Sequence, residues 1–188
     1  MTVYILGNGG HGRDIAEIVA ACGTSVLLCD DNPERGVPPV GHYLIGVANP
    51  QVRQSLDRWP HNVPRAFMHP SAIGHPCPGA FHYGSVIGAG TTIGPNVTLG
   101  RHTHIGAGCT LTRTTIGDYC QIAPGVDIAG DVTIGDRVFV GVGATIKNLI
   151  TIGDDAVIGA GAVVIHDVPA GATVAGVPAR VIHGRRVA

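Results

Sequence analysis

From residue 87 onward, aliphatic side chains recur at every sixth position. They stand at Ile87, Ile93, Leu99, Ile105 and Leu111, and then at Ile116, Ile122, Ile128, Ile134, Val140, Ile146, Ile152, Ile158 and Val164. A period of six belongs to neither an α-helix nor a hairpin strand. It is the signature of a parallel β-helix, in which each hexad is one short strand plus a corner and three hexads close a triangular coil. The aliphatic residue points inward and stacks on its counterpart one coil later. Gly or Ala follows nearly every one, which permits the sharp corner. Glycine makes up 29 of the 188 residues and aromatics only 4%, so the core is expected to be built of small aliphatics. The repeat slips once. Between Leu111 and Ile116 the step is five, inside the stretch CTLTRTTIGDYCQIAPG (109–125). Residues 69–84 read as an irregular first coil. The tail from Pro169 leaves the repeat and caps the stack.

The first third of the chain follows another pattern. VYIL (3–6) suits a buried strand, GNGGHG (7–12) a turn, and RDIAEIVAAC (13–22) a helix with Ile15, Ile18, Val19 and Cys22 at helical spacing. SVLLCDD (25–31) and YLIGVA (43–48) read as strands, and PQVRQSLDRW (50–59) as a helix with Pro50 in its first turn. The alternation is βαβαβ, hence a small parallel sheet. Gly7, Gly9 and Gly12 form a GxGxxG motif between strand and helix, with Asp30 eighteen residues further on. That context fits phosphate held at a helix N-terminus and an acid on a ribose hydroxyl. About three strands make only half of a dinucleotide domain, so a single nucleotide diphosphate fits better than NAD. A tight turn that binds nothing is the plainer alternative. An NAD-dependent oxidoreductase rests on this loop alone. His11, between two glycines, is a candidate donor to phosphate or sugar.

The net charge of −1 and pI near 6.8 leave no basic face for nucleic acid. Cys22, Cys29, Cys77, Cys109 and Cys120 show neither zinc-ligand nor redox spacing. They are expected to be buried small hydrophobes in a reducing cytoplasm. No secretory leader and no span of ~18 apolar residues is read from the sequence. The flat sides of the coil stack carry many Val, Ala and Thr, so a homotrimer with sites in the grooves between chains is expected.

YILGNGGHGRDIAEIV, LLCDD, ANPQVR, FMHPSAI, IGDYCQIAPG, IAGDVTIG, IGAGAVV and VAGVPARVI, with the hexad array between them, cover nearly the whole chain. In these pieces and their order the chain resembles the bacterial sugar O-acyltransferase, sialic-acid O-acetyltransferase-like family, which includes N-acetyltransferases of nucleotide-linked amino sugars. The resemblance implies a small Rossmann-like α/β domain at 1–68 that holds the nucleotide sugar. It implies a trimeric left-handed parallel β-helix of hexapeptide repeats at 69–188, with its C-terminal cap, that uses acetyl-CoA. It implies that Gly9, Gly10, His11, Gly12, Asp30, Asp31 and Asn49 contact the nucleotide or sugar. The thioester and pantetheine would then lie along Gly130, Gly143, Ala144, Gly161, Gly176 and Pro178, with Arg180 near the CoA phosphates. Backbone N–H groups there are expected to polarise the thioester carbonyl.

The chain departs from the family at the slip. Members carry a His, followed by an acid and Cys, just before the IGD turn, and a second His before IAPG. Here the first slot falls in Thr112-Arg113-Thr114-Thr115 and the second is Gln121. Asp131, about one coil away, is the candidate proton acceptor. His102 and His104 are expected to be exposed. Arg113 stays protonated and is a candidate for binding an acidic substrate group or a CoA phosphate. Gln121 is placed on the acyl carbonyl. The post-slip coils from Ile116 to Ile158 hold no His, so no metal is expected. An amine survives loss of a base better than a hydroxyl does. The sequence therefore points to an acyl-CoA-dependent N-acyltransferase, with acetyl as the expected acyl group, acting on a nucleotide-linked amino sugar. The alternatives are a catalytically degenerate nucleotide-sugar-binding protein and an acyltransferase with another acceptor.

Overall fold

The computed structural model describes residues 2–29, 42–57, 66–74, 77 and 79–183. The N-terminal unit runs β1 (Thr2–Leu6), α1 (Gly10–Ala21), β2 (Ser25–Cys29), β3 (His42–Ile45) and α2 (Pro50–Leu56). The sheet order is β2-β1-β3 and both pairings are parallel. β1 is central, so Val3, Ile5 and Leu6 are buried. Ile15 and Val19 of α1 join Val3, Ile5 and Leu44 in one core. Gly12 is required by packing, because a Cβ there would land on the Gly7 carbonyl. β3 is shorter than its apolar run. After Ile45 the Gly46 N–H still donates to the Leu6 carbonyl, and a Cβ at Gly46 would meet the Gly12 Cα. The chain must therefore turn under α1 there. α2 begins at an Asn49 cap whose side chain accepts from the Val52 N–H at 3.0 Å, with Pro50 in the first turn.

The rest is a parallel β-solenoid of about six turns. Its longest face stacks Phe67–Met68, Val86–Ile87, His104–Ile105, Gln121–Ile122, Phe139–Val140, Val157–Ile158 and Thr173–Ala175, and ends in the antiparallel strand Arg180–His183. The hexad aliphatics form one continuous core column from Ile87 to Val174. The stretch expected as an irregular first coil does join the ladder. Ile73 bridges to Thr92 and Phe81 to Leu99, and the turn starts at Phe67.

Partners on successive coils are normally eighteen residues apart, as in Gln121 with Phe139. At the slip the spacing is seventeen on all three faces: Thr98 with Thr115, His104 with Gln121, and Thr110 with Asp127. Asn96, Arg113, Asp131 and Leu149 occupy equivalent left-handed corner positions, with φ of 54°, 44°, 62° and 61°. The missing residue is the one just before that corner, which Pro95 and Gly130 supply in the neighbouring coils. Thr114 Oγ1 donates to the Thr112 carbonyl at 3.0 Å and closes the shortened turn. The slip is thus absorbed within one corner, and the ladder continues in register.

The three faces differ in what covers them. The residue before each inward aliphatic points outward. On two faces it is mostly exposed, as at Thr92, Thr98, Thr110, Thr115, Asp127 and Thr133. On the long face Val86, His104 and Gln121 are buried, while Phe139 and Val157 lie half-open. The N-terminal unit sits on this face over the early coils. Phe67 and Val86 belong to the same core as Val3, Ile15 and Val19.

The cleft between the N-terminal unit and the long face

Arg53 of α2 joins the two units. It is fully buried although Val52 beside it is 43% exposed. Its guanidinium donates to the carbonyls of Val47 (2.9 Å), Ala48 (3.4 Å), His102 (2.8 Å) and Cys120 (2.9 Å), and to Gln121 Oε1 (2.6 Å). No carboxylate among the described residues pairs with it. Desolvation pushes its pKa down to about 9, which leaves it charged at neutral pH. A guanidinium only donates, so the oxygen of the Gln121 amide must face Arg53. The Gln121 NH2 makes one long contact, 3.5 Å to the Ile122 carbonyl, and keeps donor capacity for the cleft.

A second clasp lies beside it. Asp57, just past α2, accepts from Tyr119 Oη (2.6 Å) and Tyr43 Oη (3.1 Å) and lies 3.6 Å from His102 Nε2. Burial alone would raise its pKa, but the contacts with His102, Tyr119 and Tyr43 outweigh burial and hold it well below the usual carboxylate range.

Between α1 and the long face is a cleft of about 400 Å³. α1 contributes His11, Asp14, Ile15, Glu17 and Ile18. The solenoid contributes Val86, His104 and Gln121, and then the corner residues Gly88, Ala89, Gly106, Ala107 and Pro124. His69 also lines it, with its Nδ1 2.8 Å from Ser71 Oγ. His11 Nε2 lies 2.9 Å from His104 Nδ1. Desolvation, and then the nearby Arg53 charge, lower the His11 pKa to about 4. The same two causes, in the same order, lower His104 well below its ordinary value. Both rings are neutral at pH 7.

The sequence-derived candidates fall into separate places. His11 and Gln121 share the cleft. Gly9 caps α1, and a Cβ at Gly9 or Gly10 would meet nothing, so those glycines leave the helix N-terminus open. Asp30 and Asp31 lie outside the described residues. Asn49 spends its side-chain oxygen on the α2 cap. Arg113 and Asp131 form a two-pronged ion pair, Nε–Oδ1 3.0 Å and Nη2–Oδ2 3.2 Å, at the exposed shortened corner. Gly130 lies at that same corner, and its carbonyl accepts from Leu149. Gly143 and Gly161 line a different corner, below Pro124. Their N–H groups are already given to the Pro124 and Val142 carbonyls, so neither is free to polarise a thioester. Ala144 turns its methyl into the core, and its N–H contacts the Gly141 carbonyl. Gly176 continues the Gly143–Gly161 edge, because its carbonyl accepts from Val163. Pro178 and Arg180 are exposed near it.

Two expectations about burial are corrected, and one buried residue is new. His102 and His104 are buried, at 1% and 2% exposure, because the N-terminal unit covers their face. Only Cys109 and Cys120 are buried; Cys22 and Cys29 are half-buried and Cys77 is exposed. Arg53 carried no sequence signal, since an Arg next to a Val on an amphipathic helix reads as the solvent side. Among the described residues no group of three or more His, Cys, Asp or Glu could hold a metal, and no helix is long and apolar enough to cross a membrane.

Comparison with known proteins adds two family matches. Residues 84–113 and 113–148 match the bacterial transferase hexapeptide model (six repeats), and residues 2–45 match the PglD N-terminal domain. No curated protein sequence matches. A variant of perosamine N-acetyltransferase from Caulobacter crescentus, in complex with CoA and GDP-perosamine, is 30% identical, with 98% of each chain covered and a TM-score of 0.85. The acetyltransferase domain of PglB from Neisseria gonorrhoeae, in complex with acetyl coenzyme A, is 27% identical over 96% of this chain and 98% of that one, with a TM-score of 0.84. WeeI from Acinetobacter baumannii AYE is 25% identical over 97% of this chain and 100% of that one, with a TM-score of 0.79.

Proposed function

The chain belongs to the hexapeptide-repeat bacterial sugar acyltransferases with a PglD-type N-terminal domain, and on that premise we propose that it is an acyl-CoA-dependent N-acyltransferase acting on a nucleotide-linked amino sugar. The observation that supports this most is the shared cleft. His11, from the glycine loop, and Gln121, from the repeat array, line one cavity. An acceptor bound at the α1 N-terminus therefore reaches the solenoid face. The open Gly9–Gly10 end of α1 suits a diphosphate, and beyond Pro124, whose carbonyl accepts from the Gly143 N–H, the Gly143–Gly161–Gly176 edge offers backbone against which a thin pantetheine arm can lie. Acetyl is the expected acyl group. Similar proteins over nearly their full length carry CoA, acetyl-CoA or GDP-perosamine.

In the reaction the amine nitrogen attacks the thioester carbon. A C–N bond forms, the C–S bond breaks, and CoA leaves as a thiolate that takes up the proton released by the amine. The Gln121 NH2 donates to the oxygen that becomes negative, and Arg53 fixes its orientation. His11, its pKa lowered to about 4 by burial and the Arg53 charge, is a weak base. Such a base does little for a sugar hydroxyl, which must lose its proton to react, but suffices for the acidic ammonium formed by amine attack. This favours N- over O-acylation in a chain without the family's usual histidine before the IGD turn. A homotrimer and a place in the cytoplasm complete the reading.

The test is release of free CoA from acetyl-CoA in the presence of GDP-, UDP- and dTDP-linked amino sugars, with mass and NMR identification of the product. Amide formation with at least one of them is expected. Acylation of a hydroxyl alone, or nucleotide-sugar binding without CoA binding in calorimetry, overturns the proposal.

A further inference from the structure

We infer that His11 Nδ1 is the proton acceptor for the attacking amine and that His104, buried behind it, fixes the tautomer that makes this possible. The inference rests on the N-acyltransferase reading and adds to it the identity of the base.

The two rings are joined by a single hydrogen bond, His11 Nε2 to His104 Nδ1. One nitrogen donates and the other accepts, so two arrangements exist. In the first, His11 Nε2–H donates, His104 carries its proton on Nε2, and His11 Nδ1 is a bare lone pair. In the second, His104 Nδ1–H donates, its Nε2 is bare, and His11 Nδ1 carries a proton. The surroundings of His104 decide. Its Nε2 is buried and has no partner with sound hydrogen-bond geometry. The Gly84 backbone nevertheless favours a proton on the ring, and with Nδ1 engaged by His11 the nitrogen left to carry it is Nε2. A buried lone pair turned toward a carbonyl oxygen is repelled, whereas an N–H in that place is attracted. The first arrangement wins.

His11 then presents a lone pair rather than a donor. Its Nδ1 has no hydrogen-bond partner among the described residues, and the ring lines the cleft beside Gln121. When Nδ1 takes the proton of the attacking amine, the positive ring still donates through Nε2 to the His104 lone pair. His104 thus orients and supports His11 as the third member of a catalytic triad supports its histidine. The proton stays on His11, because burial and the Arg53 charge keep His104 neutral. It passes to the departing thiolate, leaving the ring neutral for the next cycle. This departs from the sequence expectation of His11 as a donor to phosphate or sugar.

The experiment combines turnover with a direct view of the rings, on the full chain. His11→Asn is expected to lower kcat for amine acylation by roughly 10²–10⁴-fold with little change in KM for the nucleotide sugar. His104→Leu is expected to lower kcat as well, and His104→Asn, which keeps an acceptor oxygen near the place of Nδ1, to recover most of it. Long-range 1H–15N correlation on histidine-labelled protein is expected to show His11 protonated on Nε2 and bare on Nδ1 at neutral pH. A protonated Nδ1 overturns the inference. So does a His11→Asn enzyme with undiminished kcat, or one that keeps its kcat while Asp131→Asn loses it, which would place the acceptor at the shortened corner. Absence of turnover in the wild-type protein overturns the N-acyltransferase reading and the catalytic role together, whereas turnover that survives His11→Asn overturns the role alone.

Discussion

The corner at Arg113 and the rung at His104 lie within ten residues of each other in the same solenoid. Their fates are opposite. At the corner a cation and an anion meet in water, at side-chain exposures of 49% and 50%. At the rung an imidazole is sealed from water with another imidazole as its partner. Both belong to one repeating ladder, a corner in one case and a strand in the other, and the difference in burial comes from what lies on top. Chemistry in a solenoid is therefore assigned by its cover. A slip in the repeat draws the eye to Thr112–Thr115, while His11, His104 and the buried Arg53 gather one face away, under the N-terminal unit.

The largest test of that contrast is removal of the cover's anchor. Arg53→Met strips four carbonyls and Gln121 of their donor, and is expected to cost about 3–5 kcal/mol of stability, read as a shift in the urea midpoint. A loss no larger than that of a surface substitution would mean that the N-terminal unit is held by other contacts. Acid is the next test. His11 has a folded pKa near 4 against 6.5 unfolded, so the unfolded chain binds more protons between those values and stability falls as pH falls through that window. The loss is on the order of 3 kcal/mol for this ring, and thermal unfolding from pH 7 to 4.5 measures it. His11→Asn should flatten the slope. A flat wild-type profile would mean that the cleft is wetter than its geometry implies.

Two smaller tests sharpen the comparison. Gly12→Ala places a methyl against the Gly7 carbonyl and is expected to cost about 1–3 kcal/mol. Gly9→Ala, with φ of −75° and open space around it, should fold as wild type does and weaken nucleotide-sugar binding, as calorimetry can show. Equal effects would mean that the motif is structural throughout. The smallest effect belongs to the corner. A double-mutant cycle on Arg113 and Asp131 is expected to give a stability coupling close to zero that fades with added salt.

Much of the fold is written in the sequence. The six-residue period fixes the solenoid, its inward column and the place of the slip, because each hexad answers only to its neighbours one coil away. The α/β alternation fixes the parallel sheet. What escapes is contact between the two units. His104 stands where Thr98 and Thr110 stand on open faces, so its local pattern reads as exposed. Val52 and Arg53 invert the pattern of a surface helix for the same reason. Burial set by a distant segment leaves no periodic trace, so the site was legible in its parts, His11 and Gln121, but not in its pairing.

The guanidinium of Arg53 has one further consequence. It takes acceptors from both sides of the boundary: Val47 and Ala48 on one, His102, Cys120 and Gln121 on the other. Drawing the two units apart by even a few ångströms would leave a bare cation between them. The cleft therefore behaves as a keyhole cut in solid metal rather than as a pair of jaws, and on the proposed function any selectivity among acceptors resides in its fixed outline.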